Sequence, residues 1–382
     1  MVKNKRVIAT KSLIYIVTDS TVANKFGYEQ IKYLNEFDIN VFLICGEGKL
    51  TSKFQDLECN IHQIPYLKRE ISILKDFMVL IRLIRLIRKL KPNLLVYSTP
   101  KASLLGSLAG LFCLVPNRVY QIWGARWQTL TGMKLIITKS MDKITILCST
   151  NVIGVSKSIA DLYNTFTSKR IDVLGLGSAV GVDPKLFYPG KSSFKTLSLG
   201  FAGRIAKDKG IEDLLNIYEL VKKRNPECTL QIIGDIDLDD PVPTNIIENI
   251  LSDTSITWIK HSDRKQLGKF MRNWQLQLFP SSREGLGNVI IEAGATGVPT
   301  ICWDIVGAKD AMPDFCQKFL IPRNNIEQFV QEVCQYLDKP FTRRKSENLA
   351  NWTNDHFNAH VVLNSFSIYV LKLFDSTEQR SQ

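Results

Sequence analysis

The sequence predicts an α/β protein of two successive open domains, each a parallel sheet covered by helices, facing a cleft between them. Three observations predict it. Short apolar runs alternate with segments of helical periodicity almost throughout. A Gly-, Pro- and Ser-rich stretch, SAVGVDPKLFYPGKSS (178–193), interrupts the alternation, which then restarts. At 382 residues and 45% hydrophobic content, the chain is too long for one ordinary core and suits two.

The elements follow in order. SLIYIVT (12–18) reads as a strand, a helical stretch follows near Glu29 to Asn35, and NVFLIC (40–45) is the next strand. Residues 71–91, ISILKDFMVLIRLIRLIRKLK, form a basic amphipathic helix. Ile73, Phe77, Leu80, Ile84, Ile87 and Leu90 recur at helical spacing, with Lys75, Arg82, Arg85 and Lys89 opposite. Lys91 and Pro92 end it, and NLLVYS (93–98) is a strand. KASLLGSLAGLF (101–112) is a small-residue helix, and RVYQIW (118–123), NVIGVS (151–156) and RIDVLGL (170–176) are strands. These elements fill a Rossmann-like domain over 1–185.

After the linker come the strand TLSLGFAG (196–203), a helix from Lys209 to Arg224, the strand TLQIIGD (229–235) and a helix near Asn245 to Leu251. The strand ITWIK (256–260), a helix near Arg264 to Asn273 and the strand LQLF (276–279) continue the pattern. Val289 to Ala295 is helical with Asn288 at its N-cap, Gly297 and Pro299 stop it, and TICW (300–303) is a strand. A second Rossmann-like domain spans 186–365. The remaining 366–382 belong to a C-terminal helix, near Val361 to Phe374, expected to pack back on the first domain.

Ligands of such sheets bind beyond the carboxyl ends of the strands, so the loops there carry the candidate site. Glu284 lies in a strand-to-helix loop and Glu292 early in the following helix, with Gly285, Leu286, Gly287 and Asn288 between. The glycines let backbone approach a ligand, and amides at a helix N-terminus suit a phosphate. A carboxylate offers two acceptor oxygens to vicinal sugar hydroxyls. A nucleotide sugar has two hydroxylated rings flanking a diphosphate, which would occupy both acids. Gly203, Arg204 and Lys209 leave another strand end in the same domain. Two fixed cations there would neutralise a diphosphate and stabilise it as a leaving group.

Charge is uneven. Residues 1–190 hold 26 Lys and Arg against 13 Asp and Glu; residues 191–382 hold 23 against 24. The excess cation of the first half calls for an acidic partner, and the basic helix suits an anionic membrane surface. Nucleic acid is excluded as the partner, because that half has no aromatic-basic recognition motif. Residues 102–117 are uncharged but too short to span a bilayer. Eight scattered cysteines without a CxxC pair, and no cleaved leader, favour a reducing cytoplasm. His356 and His360 lack further ligands at metal spacing, so no metal and no cofactor is expected.

The ordered motifs IPYLKREISILKD, TPKASLLG, TLTGMK, VSKS, GLGSAVGVDPKLFYP, GDIDLDDPVP and REGLGNVIIEA resemble those of the retaining GT-B glycosyltransferases of group 1 (family 4). The branch they resemble builds bacterial capsule, O-antigen and exopolysaccharide units on undecaprenyl diphosphate. The resemblance spans nearly the whole chain. It implies that Glu284 meets the donor sugar, Glu292 the ribose, and Arg204 and Lys209 the diphosphate. Amides of Gly285 to Asn288 would help. It also implies metal-independent transfer, with the departing phosphate oxygen taking the acceptor proton on the same face. Trp123 stands where the family usually has His or Arg near the sugar, Val180 where it has Asn, and VYSTPK lacks two usual histidines. Lys101 and Arg126, with Trp123, are the expected acceptor contacts. The alternatives are a sugar-nucleotide epimerase or hydrolase, a scaffold that keeps a weakened donor site, and a metal-dependent enzyme using Asp237 and Asp239.

Overall fold

The computed structural model describes residues 11–190 and 197–381. The last three residues of the linker stretch and Thr196 of the strand that follows lie outside them. The chain forms two compact units. One comprises the residues up to Trp123, Leu130–Val180 and the chain from Val362 on; the other comprises Gly124–Thr129 and Gly181–Val361.

In the first unit β1 (Ser12–Ile16), α1 (Ser20–Val22), α2 (Tyr28–Leu34), β2 (Asn40–Gly46) and β3 (Cys59–Ile64) lead to α3 (Ile73–Leu90) and β4 (Leu94–Ser98). Then follow α4 (Pro100–Phe112), β5 (Asn117–Ile122), α5 (Gly132–Cys148), β6 (Asn151–Gly154), α6 (Lys157–Asn164) and β7 (Asp172–Val173). The seven strands are parallel, in the order β3-β2-β1-β4-β5-β6-β7. The order reverses between β1 and β4, where Thr18 donates its amide to Thr99 Oγ1 at 3.1 Å.

Helix α3 corrects the predicted apolar stripe. Its buried residues are Val79, Leu83 and Ile87, spaced by one turn, while Ile73 and Phe77 are 84% and 61% exposed. The sequence periodicity is satisfied by two registers, and contact with α4 selects the one through Val79. Strand β3 and helix α5 carry no clear expectation in the sequence, since β3 is only partly buried and α5 mixes Thr, Lys and Ile.

In the second unit β8 (Ser198–Ala202), α7 (Ile211–Arg224), β9 (Thr229–Ile233), α8 (Thr244–Ser252), β10 (Ile256–Ile259) and α9 (Arg264–Met271) precede β11 (Leu276–Phe279). Next are α10 (Asn288–Ala295), β12 (Thr300–Trp303), β13 (Leu320–Ile321), α11 (Ile326–Asp338) and α12 (Arg343–Phe357). Its parallel sheet runs β10-β9-β8-β11-β12-β13. The buried Trp274, Trp303, Phe201 and Phe329 fill the core.

The C-terminal α13 (Ala359–Ser381) returns to the first unit. Phe366, Val370 and Phe374 are buried with Leu13, Tyr15, Leu94 and Val96 of its central strands. A bare parallel sheet needs such a cover on both faces.

Candidate functional site

The second sheet reverses direction of growth between β8 and β11. Side chains leaving the carboxyl ends of these two neighbours converge, because their loops turn to opposite sides of the sheet. Gly203 and Arg204 follow β8 directly. Lys209, the predicted helix start, instead closes a 3₁₀ turn, Lys207–Lys209. The helix begins at Ile211 instead, because Gly210 adopts a left-handed φ of 69° and serves as its N-cap. A Cβ there would lie 1.9 Å from the Pro280 carbonyl oxygen, so glycine lets the two loops touch.

Lys209 Nζ donates to Glu284 Oε1 at 2.6 Å, and both side chains are about 15% exposed or less. Ser281 Oγ donates to the same oxygen at 2.8 Å. The spacing argument put Glu284 near the cations, and the structure joins it to Lys209. Arg204 is more open, with 47% of its side chain exposed. Its guanidinium donates to Asp208 at 3.3 Å and is also held by Asp237.

Asp208, which sequence reasoning passed over, connects both loops. Its carboxylate accepts from Arg204 and, at 2.7 Å, from Arg283. Its carbonyl accepts from the Ser282 amide and hydroxyl, both at 2.9 Å, and its amide donates to Asp240. Burial works to raise the Asp208 carboxyl, but Lys209, Arg204 and Arg283 outweigh it and leave its pKa below the ordinary carboxylate value. The only sequence signal for Arg283 is its position next to Glu284.

Glu292 is buried in the second turn of α10, not its first, and Gly287 rather than Asn288 is the N-cap. Gly287 takes φ 86°, a left-handed conformation that favours glycine. Arg264 Nη2 donates to Glu292 Oε1 at 2.9 Å, and the guanidinium packs over the Phe187 ring at 5.5 Å. Arg264 starts α9, 28 residues before its partner, and no local pattern pairs them. Gly285, Leu286 and Gly287 are buried, while Asn288 is half-buried. Three cations, Arg204, Lys209 and Arg283, thus face three carboxylates, Asp208, Asp237 and Glu284, and a bound anion would exchange with these acids.

In the first unit, Lys101 departs from the expected acceptor role. It is 6% exposed, and its ammonium is held by Asp76 Oδ1 at 2.7 Å and by the Glu70 carbonyl. It clamps the first turns of α4 and α3 together. Trp123 is half-buried. Its indole donates to Gln121 Oε1 at 3.0 Å, and its ring lies 4.9 Å from that of Phe26. Gln121 in turn donates to Gln30, which also accepts from the Tyr15 hydroxyl, so a buried polar chain fixes Trp123. Arg126 is exposed on a 3₁₀ turn, Arg126–Thr129. Among the described residues, no group of three His, Cys, Asp or Glu gathers at metal-binding spacing.

The family described as "Glycosyl transferases group 1" matches residues 190–353, and "Glycosyl transferase 4-like" matches residues 13–151. The two matches together take in most of the chain, and the chain is a glycosyltransferase. This glycosyltransferase is 28% identical over 317 residues to the capsular polysaccharide biosynthesis glycosyltransferase CapM of Staphylococcus aureus, covering 80% of this chain and 82% of that one. It is 25% identical over 342 residues to UDP-Gal:alpha-D-GlcNAc-diphosphoundecaprenol alpha-1,3-galactosyltransferase of Escherichia coli, covering 85% and 86%. The solved structure of Anabaena HepE with UDP and glucose superposes with a TM-score of 0.74 at 12% identity, over 95% of this chain and all of that one. The fold is GT-B, with two parallel-sheet α/β domains.

Proposed function

We propose that this glycosyltransferase moves a sugar, with retention, from a UDP-linked donor to an undecaprenyl diphosphate-linked sugar in bacterial surface polysaccharide assembly. The work would take place in the cytoplasm, at the inner face of the membrane. The relatives support the pathway class: one is named for capsule biosynthesis and another for a diphosphoundecaprenol acceptor and a UDP-linked donor. The observation that carries the chemistry is the Lys209–Glu284 pair beside Arg204 where the sheet order reverses.

Each residue then has a role. Arg204 leaves Asp237 for the donor diphosphate and, with Lys209, balances the charge that grows on the leaving phosphate. Glu284 accepts hydroxyls of the transferred sugar and Glu292 those of the ribose, held in aim by Arg264. The loop amides from Gly285 to Asn288 supply further donors to phosphate. Trp123 and Arg126 contribute acceptor contacts. No metal is assigned a role.

Transfer of radiolabelled sugar from UDP donors to a lipid-linked acceptor tests this reading. Glu284→Ala, Arg204→Ala and Lys209→Ala should each lower kcat/KM by about a hundredfold or more. Unchanged rates in all three would end the assignment. Complete loss of turnover in EDTA, restored by a divalent ion, would overturn the metal-free reading. An inverted anomer in the product would overturn retention. Donor consumption independent of acceptor would favour a hydrolase or epimerase, and absence of UDP binding a scaffold.

A further inference from the structure

The face formed by α3, α4 and α5 has a composition that a water-facing surface does not require. These helices lie side by side in one layer of the first unit. In a parallel sheet each crossover helix starts at the carboxyl end of the strands and runs back. The first turns of α3 and α5 are therefore at the same end of the sheet as Thr99 and Trp123. Both expose large apolar side chains there. On α3 they are Ile73, Leu74, Phe77 and Met78, with Ile71 just before; on α5 they are Met133, Ile136 and Ile137. Leu74 is 79% exposed and Met133 70%. Apolar patches of this kind mark an interaction surface.

The charge around them is predominantly positive. Further along α3 the outward residues are Arg82, Arg85, Arg88 and Lys89, and α5 exposes Lys134 and Lys143. The acids of the two helices are withdrawn. Asp76 binds Lys101 and the Ser72 amide, and Asp142 is buried against the Tyr120 and Tyr163 hydroxyls. Over 65–91, the exposed acid is Glu70.

We propose that the α3–α5 rim of the first unit docks on an anionic bilayer, with the apolar first turns entering the headgroup boundary and the arginines of α3 meeting lipid phosphates. An interfacial helix has this division: apolar anchors for depth, a basic flank for charge. The inference deepens the lipid-linked acceptor reading and rests on it for its biological sense. It names a different surface from the donor site. Docking at this rim brings the carboxyl end of the first sheet to the headgroup layer, where the diphosphate of a lipid-linked saccharide resides.

Co-sedimentation of the full chain with vesicles tests the proposal without any sugar chemistry. The wild type should pellet with phosphatidylcholine–phosphatidylglycerol vesicles, remain in solution with phosphatidylcholine alone, and be released by high salt. Phe77→Glu with Ile136→Glu, and separately Arg82→Glu with Arg85→Glu, should each weaken vesicle binding by about tenfold or more. Their melting temperatures and UDP affinity should be unchanged, since none of the four is buried. Wild type that ignores anionic vesicles, or variants that bind like wild type, would overturn the proposal. So would a lipid-free dimer that Phe77→Glu dissociates, which would assign the face to a second copy of this chain. Intact vesicle binding in a protein without transfer activity counts against the proposed function alone. Transfer to a soluble acceptor by a protein that ignores vesicles counts against the docking face alone.

Discussion

Among Arg204, Lys209 and Arg283, Arg204 is the cation that a ligand reaches most easily, and it is shared by Asp208 and Asp237. The two acids do different work. Asp237 holds Arg204 only through its carboxylate, so it competes with any anion that comes to Arg204. Asp237→Asn should therefore tighten UDP binding by about two- to fivefold, read by calorimetric titration. Weaker binding would mean that Asp237 orients Arg204 instead. Asp208 ties the two loops together from both its backbone and its side chain. Its pKa is depressed, so its contribution to stability is present above the ordinary carboxylate value of 3.8 and is lost as pH falls below that, through the lower folded value. Asp208→Asn should cost about 1–3 kcal/mol at neutral pH. The gap in melting temperature between variant and wild type should close below about pH 4. A gap that persists in acid would place the cost in packing. At this scale the sequence brings out Glu284, Arg204 and Lys209, because each lies in the loop at a strand's carboxyl end, and Glu292 by its position early in the following helix. It hides Arg264, whose partner comes from another element, and Lys101, whose burial depends on Asp76 of a different helix.

Among the elements, the Gly210 turn shows how local backbone and tertiary contact agree. Its left-handed φ and the nearby Pro280 carbonyl both require glycine. Gly210→Ala should cost about 2 kcal/mol or more, from the left-handed conformation and the clash together. Thermal melting measures it, and a smaller loss would mean that the Pro280 loop yields freely. Donor affinity should fall as well, because Lys209 is the adjacent residue. The strands were readable since a doubly covered parallel strand is a short, continuous apolar run, as in SLIYIVT and LQLF. The buried face of α3 was not. Its leucines and isoleucines occur on nearly every side of the helix, and only the contact with α4 distinguishes packed from exposed positions. The start of α7 was misplaced by two residues for a related reason: Lys209 fits a helix by propensity, and the tertiary contact of Gly210 decides otherwise.

At the scale of the molecule, the cationic excess of the first 190 residues and the near-balance of the rest are what the proposed division between a lipid-facing and a donor-facing unit requires. The cysteines give a second global reading. All eight are free thiols, and burial raises each of them, Cys45 to about 11 and Cys228 and Cys316 to about 12. At pH 8 the native protein should react with a disulfide reagent slowly, whereas all eight thiols should react in denaturant. Rapid native reaction of several thiols would show that the units open readily. The two-unit organisation was legible from the alternation and the linker, while the short return of 124–129 to the second unit was not, since six residues carry no pattern of their own.

The placement of α13 has a consequence for how the chain is born. A ribosome makes the strands of the leading lobe early, yet the helix that seals one face of their sheet is made only after the whole trailing lobe. The trailing lobe can close on itself first, and during that interval Tyr15, Leu94 and Val96 wait under water or a chaperone. A chain that stops short of Phe366, Val370 and Phe374 would have a sound trailing lobe and a leading lobe that cannot be finished.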